Sequence, residues 1–238
     1  MGYNKVNILH SPPHGVFHPS LDEISLQYNA VYIVLLMSGV GFLLPYNSFV
    51  TAVDFFQDIF PGTTIIFDIS LVYILTALIA VLLNNVIIET FSLQTRMMFG
   101  YLVSLTVLLT FLMLVWSEVL STEQSYGLVL LLVSVLSLAA TVQQSSIYGL
   151  TGLLPARYSQ AVMTGESECS GSHQAASLSH RVAGLAGCLA CVNRILSKLV
   201  VENTTTSTGL FILLSSLLLV ICCYNFYKVT PNRPNICY

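Results

Sequence analysis

The stretch GVGFLLPYNSF, at residues 39–49, places a proline and an asparagine inside a long apolar segment. Pro45 removes one backbone donor and disturbs a helix. Tyr46 adds a hydroxyl and Asn47 a carboxamide. In a membrane, such a break is tolerated where it faces protein or a water-filled cavity. The stretch therefore indicates either a helix that lines a solute pathway or a kinked packing helix whose Asn47 bonds a neighbouring helix.

The composition favours a polytopic membrane protein. Of 238 residues, 55% are hydrophobic and only 8% are charged, whereas soluble domains carry about 25% charged residues. The net charge of −3 argues against nucleic acid as a partner, because nucleic-acid binding requires a clustered basic surface.

Charged residues separate apolar segments that are long enough to cross a bilayer. They predict an all-α membrane domain over residues 28–228, because a backbone in hydrocarbon must form its hydrogen bonds internally. The predicted spans are 28–50, 69–88, 97–116, 125–150, 160–201 and 204–227. The fifth is interrupted by Glu166, Glu168 and the polar residues that follow. Residues 168–185 are an atypical polar insertion.

Basic residues predict the topology. Lys and Arg fall in the N-terminal tail and in alternate loops, whereas the opposite loops are acidic, at Asp54 and Glu202 among others. The excess of basic residues on the cytosolic side puts both tails, 1–27 and 229–238, in the cytosol. The sequon that begins at Asn203 then lies outside, as a glycosylation candidate close to the membrane.

No metal, cofactor or catalytic site is predicted. His10, His14 and His18 are spaced four apart, but the neighbouring prolines prevent the helix that would align them. Cys188 and Cys191 form a single CxxC, which is more simply explained as two small residues on one helix face. No paired acid and base suggests an enzyme.

The fourth and fifth spans carry polar residues that are expensive in hydrocarbon and therefore suggest function. Gln143 and Gln144 are adjacent, so they point about 100° apart on a helix. One of them can face a cavity while the other bonds a neighbouring helix. Glu166 could pair with a cationic substrate or titrate as a proton-coupled group, or it could be a surface carboxylate at the membrane edge.

Two motifs resemble the equilibrative nucleoside transporter family. The first is GVGFLLPYNSF, similar to the family's first helix, and the second is QQSSIYGLTGLLPARYSQAVMTGE at residues 143–166, similar to its fourth and fifth helices. The resemblance runs over residues 28–167 and resumes at 186–228. It implies facilitative, sodium-independent transport at the plasma membrane by a major-facilitator-like fold, of which this chain would supply the N-terminal six-helix bundle.

The resemblance also implies a substrate site. The family positions that match Leu43, Tyr46 and Gln144 contact substrate, and Asn47 and Ser146 are polar candidates beside them. In the family's monoamine-transporting subtype, the position that matches Glu166 sets a preference for organic cations. A carboxylate attracts an ammonium group strongly where water is excluded, and the ring of Tyr46 could add cation–π attraction.

The expected substrates are small molecules: serotonin, dopamine and other organic cations, with adenosine as a further candidate and uptake favoured by acidic pH. The alternatives are a nucleoside-selective transporter and a truncated, non-transporting form that at most associates with full-length protein. The family has eleven spans, so a second transporter half is the expected partner, since alternating access requires two halves around one site.

Overall fold

The computed structural model describes the backbone of residues 21–116, 122–166 and 185–229, and the side chains of 29–84, 90–116, 122–166 and 185–228. This part of the chain forms eight helices and contains no strand. They are α1 (Leu21–Thr51), α2 (Val53–Ile59), α3 (Ile65–Thr90), α4 (Leu93–Trp116), α5 (Thr122–Thr151), α6 (Ala156–Glu166), α7 (Leu185–Val200) and α8 (Thr204–Val229).

Five segments of these helices are long and apolar enough to cross a membrane. They are Asn29–Thr51, Ile65–Asn84, Leu93–Trp116, Thr122–Thr151 and Thr204–Lys228. The prediction of an all-α polytopic membrane protein is therefore confirmed.

The helix ends differ from the predicted spans at the start of the chain. Helix α1 begins at Leu21, inside the segment predicted as a tail. After Pro19 no proline occurs before Pro45, so no missing backbone donor prevents an early start. The short helix α2 follows α1 and was not predicted, because its seven residues are too few to show a periodic pattern.

The predicted span at 160–201 overlaps two short helices, α6, which begins four residues earlier at Ala156, and α7. They have 11 and 16 residues, and each is shorter than the roughly 20 residues that a spanning helix needs. Residues 167–184 lie outside the described residues, and with them most of the polar insertion predicted at 168–185. The predicted tails lie outside them as well, apart from residues 21–27 and Val229.

Helix α1 is the most buried of the five candidate spans, and it packs against α5, α6, α7 and α8. Two glycines make this possible. Gly39 lies against the backbone of α6, and a Cβ at Gly41 would come within 2.7 Å of the Tyr101 ring on α4. At both positions the missing side chain lets a neighbouring helix approach closely.

An aromatic cluster joins the C-terminal end of α1 to α2 and α4. The ring of Phe111 lies 4.6 Å from that of Phe49 and 5.7 Å from that of Phe56, measured between centroids. The chain then reverses through Pro61 and Gly62, whose positive φ of 73° fits the third position of a type II turn. This end of the bundle is thus held by ring packing.

Candidate functional site

Glu166, the last residue of α6, is held by two donors from α5. Its Oε2 accepts a hydrogen bond from Gln144 Nε2 at 3.0 Å, and its Oε1 accepts one from the Tyr148 hydroxyl. Gln144 and Tyr148 are four residues apart, so they project from the same face of α5. Both donors are neutral, and no cation pairs with Glu166 among the described residues.

This cluster of Gln144, Tyr148 and Glu166 lies beside the C-terminal part of α5, a helix that is long and apolar enough to cross a membrane. With a rise of 1.5 Å per residue, Gln144 is about 10 Å from the end of α5 and Glu166 about 15 Å from the start of α6. Those two ends are joined by a short turn. Helix α5 has 30 residues and is therefore about 45 Å long. A hydrocarbon layer of about 30 Å centred on it ends close to the cluster, where a carboxylate needs a polar partner or water.

The two adjacent glutamines have different surroundings. Gln143 is fully buried; its Nε2 donates to the Met97 carbonyl at 3.2 Å, and its side chain fills the space beside Gly100. Gln144 is exposed and reaches Glu166. Both glutamines therefore bond a neighbouring helix, Gln143 at α4 and Gln144 at α6, and the prediction that one of them faces a cavity stays a prediction.

The candidate residues of α1 lie nearer the other end of the bundle. The backbone of Glu166 is level with Gly39, and Tyr46 is seven residues further along α1, about 10 Å away along the axis. Tyr46 is buried and stacks on Tyr73 of α3, with ring centroids 3.8 Å apart. None of the hydrogen bonds described for Glu166 comes from α1.

The remaining candidate residues are two polar side chains and one apolar side chain. The buried Nδ2 of Asn47 has no hydrogen-bond partner among the described residues. The Ser146 hydroxyl donates to the Val142 carbonyl of its own helix at 2.6 Å. Leu43 is half-buried against the core.

An ionic cluster lies at the opposite end of the bundle from the α5–α6 turn. Asp54, in the first turn of α2, accepts from Arg194 at 2.5 Å and from Lys198 at 3.0 Å, both on α7. Arg194 is buried and lies over the Phe211 ring. Partial burial alone would raise the pKa of Asp54, but the hydrogen bonds and charges of the two cations lower it below its ordinary value.

Asn203 caps α8. Its Oδ1 accepts the Thr205 backbone N–H at 3.0 Å, as an N-cap asparagine does. Its side chain is exposed. Cys188 and Cys191 form no disulfide among the described residues. The described residues contain no group of three or more His, Cys, Asp and Glu side chains placed to hold a metal, and the histidines of the N-terminal tail lie outside them.

Sequence reasoning missed two partners in these clusters. Tyr148 was a polar residue of the fourth span but not a site candidate, although its spacing of four from Gln144 is a signal for a shared face. The contact of Asp54 with Arg194 joins residues 140 positions apart, and nothing in the local pattern of either residue predicts it.

Fold and cluster together define a multi-pass membrane protein with a carboxylate held between two helices by polar side chains. No family model matches the chain. It is 46% identical over 197 residues to equilibrative nucleoside transporter 4 of Homo sapiens and 42% identical to the Danio rerio protein of that name; each match covers 82% of this chain and 34% or 35% of the relative. Equilibrative nucleotide transporter 1 of Arabidopsis thaliana is 30% identical over 88% of this chain and 44% of its own length.

The chain belongs to the equilibrative nucleoside transporter family. It spans about a third of the length of the two relatives that match it at 46% and 42% identity. The names of all three relatives describe transporters and not enzymes.

Proposed function

We propose that this chain forms one wall of a facilitative, sodium-independent pathway for organic cations, with serotonin and dopamine as substrates. The observation that carries the proposal is the Glu166 carboxylate, held by the neutral donors Gln144 and Tyr148. A negative charge with neutral neighbours is left to attract an ammonium group from the solute.

The polar groups of α1 support a pathway that continues beyond Glu166. Asn47 offers a buried, unpartnered donor, and Tyr46 and Tyr73 present stacked rings that suit an aromatic amine. Leu43, Tyr46, Asn47, Gln144, Ser146 and Glu166 are the residues that we propose to meet the substrate. A major-facilitator-like fold, with a second transporter half opposite this wall, would complete the pathway. In cells that express this chain alone, a second copy of the chain would supply that half.

A nucleoside is the second candidate substrate, and it is favoured by the names of the two relatives, both called equilibrative nucleoside transporter 4. Adenosine is neutral and rich in donors and acceptors, so Gln144 and Asn47 could bind it without Glu166. The two candidate substrates differ in their need for Glu166, because only an organic cation is attracted by the negative charge of its carboxylate.

We also propose that the protein resides in the plasma membrane with a cytosolic N-terminus. Exposed Thr205 would then lie outside and exposed Ala156 inside. A membrane-impermeant maleimide should label Thr205→Cys in intact cells, above the signal of the native cysteines, and Ala156→Cys only after permeabilisation. The reverse labelling would overturn this topology.

The proposed function is tested by uptake of radiolabelled serotonin and adenosine into cells that express this chain, with surface amount confirmed by biotinylation. Uptake is measured at neutral and mildly acidic pH. We expect saturable serotonin uptake, independent of sodium and faster in acid. Uptake equal to that of mock-transfected cells would contradict transport by this chain, and saturable uptake of adenosine alone would favour the nucleoside alternative.

A further inference from the structure

Two apolar grooves flank the first turns of α4. One, of about 520 Å³, lies between α3, α4 and α5 and includes Leu83, Val103 and Leu138. The other, of about 610 Å³, lies between α4 and α8 and includes Leu105 and Leu219. Both volumes fall in the range of about 300–1,000 Å³ that is typical of small-molecule sites.

The grooves meet along one edge of α4. Thr95 and Phe99 line both of them. The Phe99 ring is exposed and stands between the grooves as a divider. A ligand with a single head and two apolar chains matches this shape, because each chain can follow one groove from a common starting point.

Arg96 provides a positive charge near the edge of α4 where the two grooves meet. Among the described residues it is the one charged side chain that lines either groove. The side chain is half-buried, and its buried Nε and Nη1 atoms have no hydrogen-bond partner within the part of the chain whose side chains are described. A guanidinium without a charged partner in apolar surroundings is unfavourable, and a guanidinium forms charge-assisted hydrogen bonds with phosphate. The positive charge beside two apolar grooves therefore favours an anionic ligand with apolar chains.

We propose that Arg96 and the two grooves bind an acidic phospholipid. Its phosphate accepts hydrogen bonds from the Arg96 guanidinium, and its acyl chains lie on either side of Phe99. This site is separate from the Gln144–Tyr148–Glu166 cluster and does not depend on the proposed transport function.

The position of Arg96 favours a membrane lipid over a soluble anion. Arg96 lies in the first turn of α4, where a helix enters the bilayer, and the grooves open between helices whose outer faces are apolar, such as Leu82 and Leu102. Basic pockets between helices on the cytosolic side are typical sites for acidic headgroups. The predicted topology puts this end of α4 on that side.

Native mass spectrometry of the purified chain, titrated with phosphatidylserine or phosphatidylcholine of matched chains, tests the proposal. The variant Arg96→Gln removes the charge. Its control, Arg157→Gln, removes an exposed arginine predicted at the same membrane face. The variant Leu138→Trp fills the α3–α4–α5 groove, and Leu131→Trp is its control, seven residues earlier on α5 at another exposed position.

We expect the wild-type chain to prefer phosphatidylserine over phosphatidylcholine, because the positive choline group of phosphatidylcholine offsets the negative charge of its phosphate. Arg96→Gln should bind phosphatidylserine about fivefold more weakly and lose the preference, whereas Arg157→Gln should keep both. Leu138→Trp should weaken both lipids, and Leu131→Trp neither. Water-soluble glycerophosphoserine should not compete.

Three results would overturn the proposal. They are equal binding of the two lipids by the wild-type chain, unchanged binding by both Arg96→Gln and Leu138→Trp, and full competition by the chainless headgroup. A mass spectrum that shows lipid-free dimers, lost in Leu138→Trp, would assign the groove to a second copy of the chain instead. If Arg96→Gln does not fold, the comparison of Leu138→Trp with Leu131→Trp still decides whether the α3–α4–α5 groove holds lipid.

Discussion

Gly39 of α1 and Gly165 of α6 cross with their backbones in direct contact. A Cβ on Gly39 would overlap the Val162 carbonyl oxygen, and a Cβ on Gly165 would overlap the Leu36 carbonyl oxygen. Because neither atom belongs to a flexible side chain, the helices themselves would have to separate. This crossing fixes the height of Glu166, the residue after Gly165, against α1.

Substitution of Gly165 by alanine should destabilise the protein. The added methyl group overpacks a backbone contact, for which we expect a cost of about 1–3 kcal/mol. Thermal unfolding in detergent, followed by loss of the monodisperse chromatographic peak, measures the effect. Gly39→Ala should behave in the same way.

Gly149→Ala is the matched control for the glycine crossing. A Cβ at Gly149 meets no atom within 4 Å, and alanine is preferred over glycine in a helix by about 1 kcal/mol. This variant should be as stable as the wild type or more so. Equal stability of Gly165→Ala and Gly149→Ala would contradict the close crossing.

The buried Arg194 makes Asp54 important for stability. In Asp54→Asn the guanidinium loses its charged acceptor, and a buried charged donor left in this way costs about 1–3 kcal/mol or more. Lys198 is half exposed, so Lys198→Gln should cost less than about 1 kcal/mol. Chemical unfolding of the two variants compares these costs, and a larger loss in Lys198→Gln would refute the assignment.

The lowered pKa of Asp54 predicts an acid dependence of stability. A carboxyl whose pKa is lower in the folded state stabilises the fold fully above its unfolded pKa of about 3.9. That contribution disappears as the pH falls through the lowered value. The difference in melting temperature between wild type and Asp54→Asn should be constant near neutral pH and shrink in strong acid. A difference that grows on acidification would have the wrong sign.

Asn203 should stabilise α8 through its cap and independently of any glycan. Asn203→Ala removes the acceptor for the Thr205 N–H and should cost about 1 kcal/mol. Thr205→Ala abolishes the sequon but keeps the backbone donor, so it should cost much less. Melting temperatures of protein from a bacterial host compare the two without glycosylation, and equal losses would rule out the cap as the cause.

Much of the fold could be predicted from sequence because the membrane limits the choices. Apolar segments of sufficient length must be helices in hydrocarbon, and charged residues show where such segments are separated. The N-terminal start of α1 could not be predicted, since a helix can continue beyond the apolar segment. Helix α2 is shorter than two helical turns and has no periodic signal.

The candidate site was only partly predictable for a similar reason. The 100° step between adjacent residues separates Gln143 from Gln144, but it does not say which of them reaches Glu166. That depends on the rotation of α5 about its axis, which is set by Gln143 packing beside Gly100. The Asp54–Arg194 pair depends on tertiary packing between α2 and α7, for which the sequence gives no spacing rule.

The central claim is that the charge of Glu166 selects cations, and paired uptake of serotonin and adenosine by Glu166→Gln tests it most directly. Thr164→Val is the control, because the Thr164 hydroxyl bonds its own helix. At equal surface amounts, we predict that Glu166→Gln lowers serotonin uptake relative to adenosine uptake by about tenfold, whereas Thr164→Val leaves the ratio unchanged. Equal loss of both substrates in Glu166→Gln would contradict charge selection and would leave Glu166 as a residue that stabilises the fold.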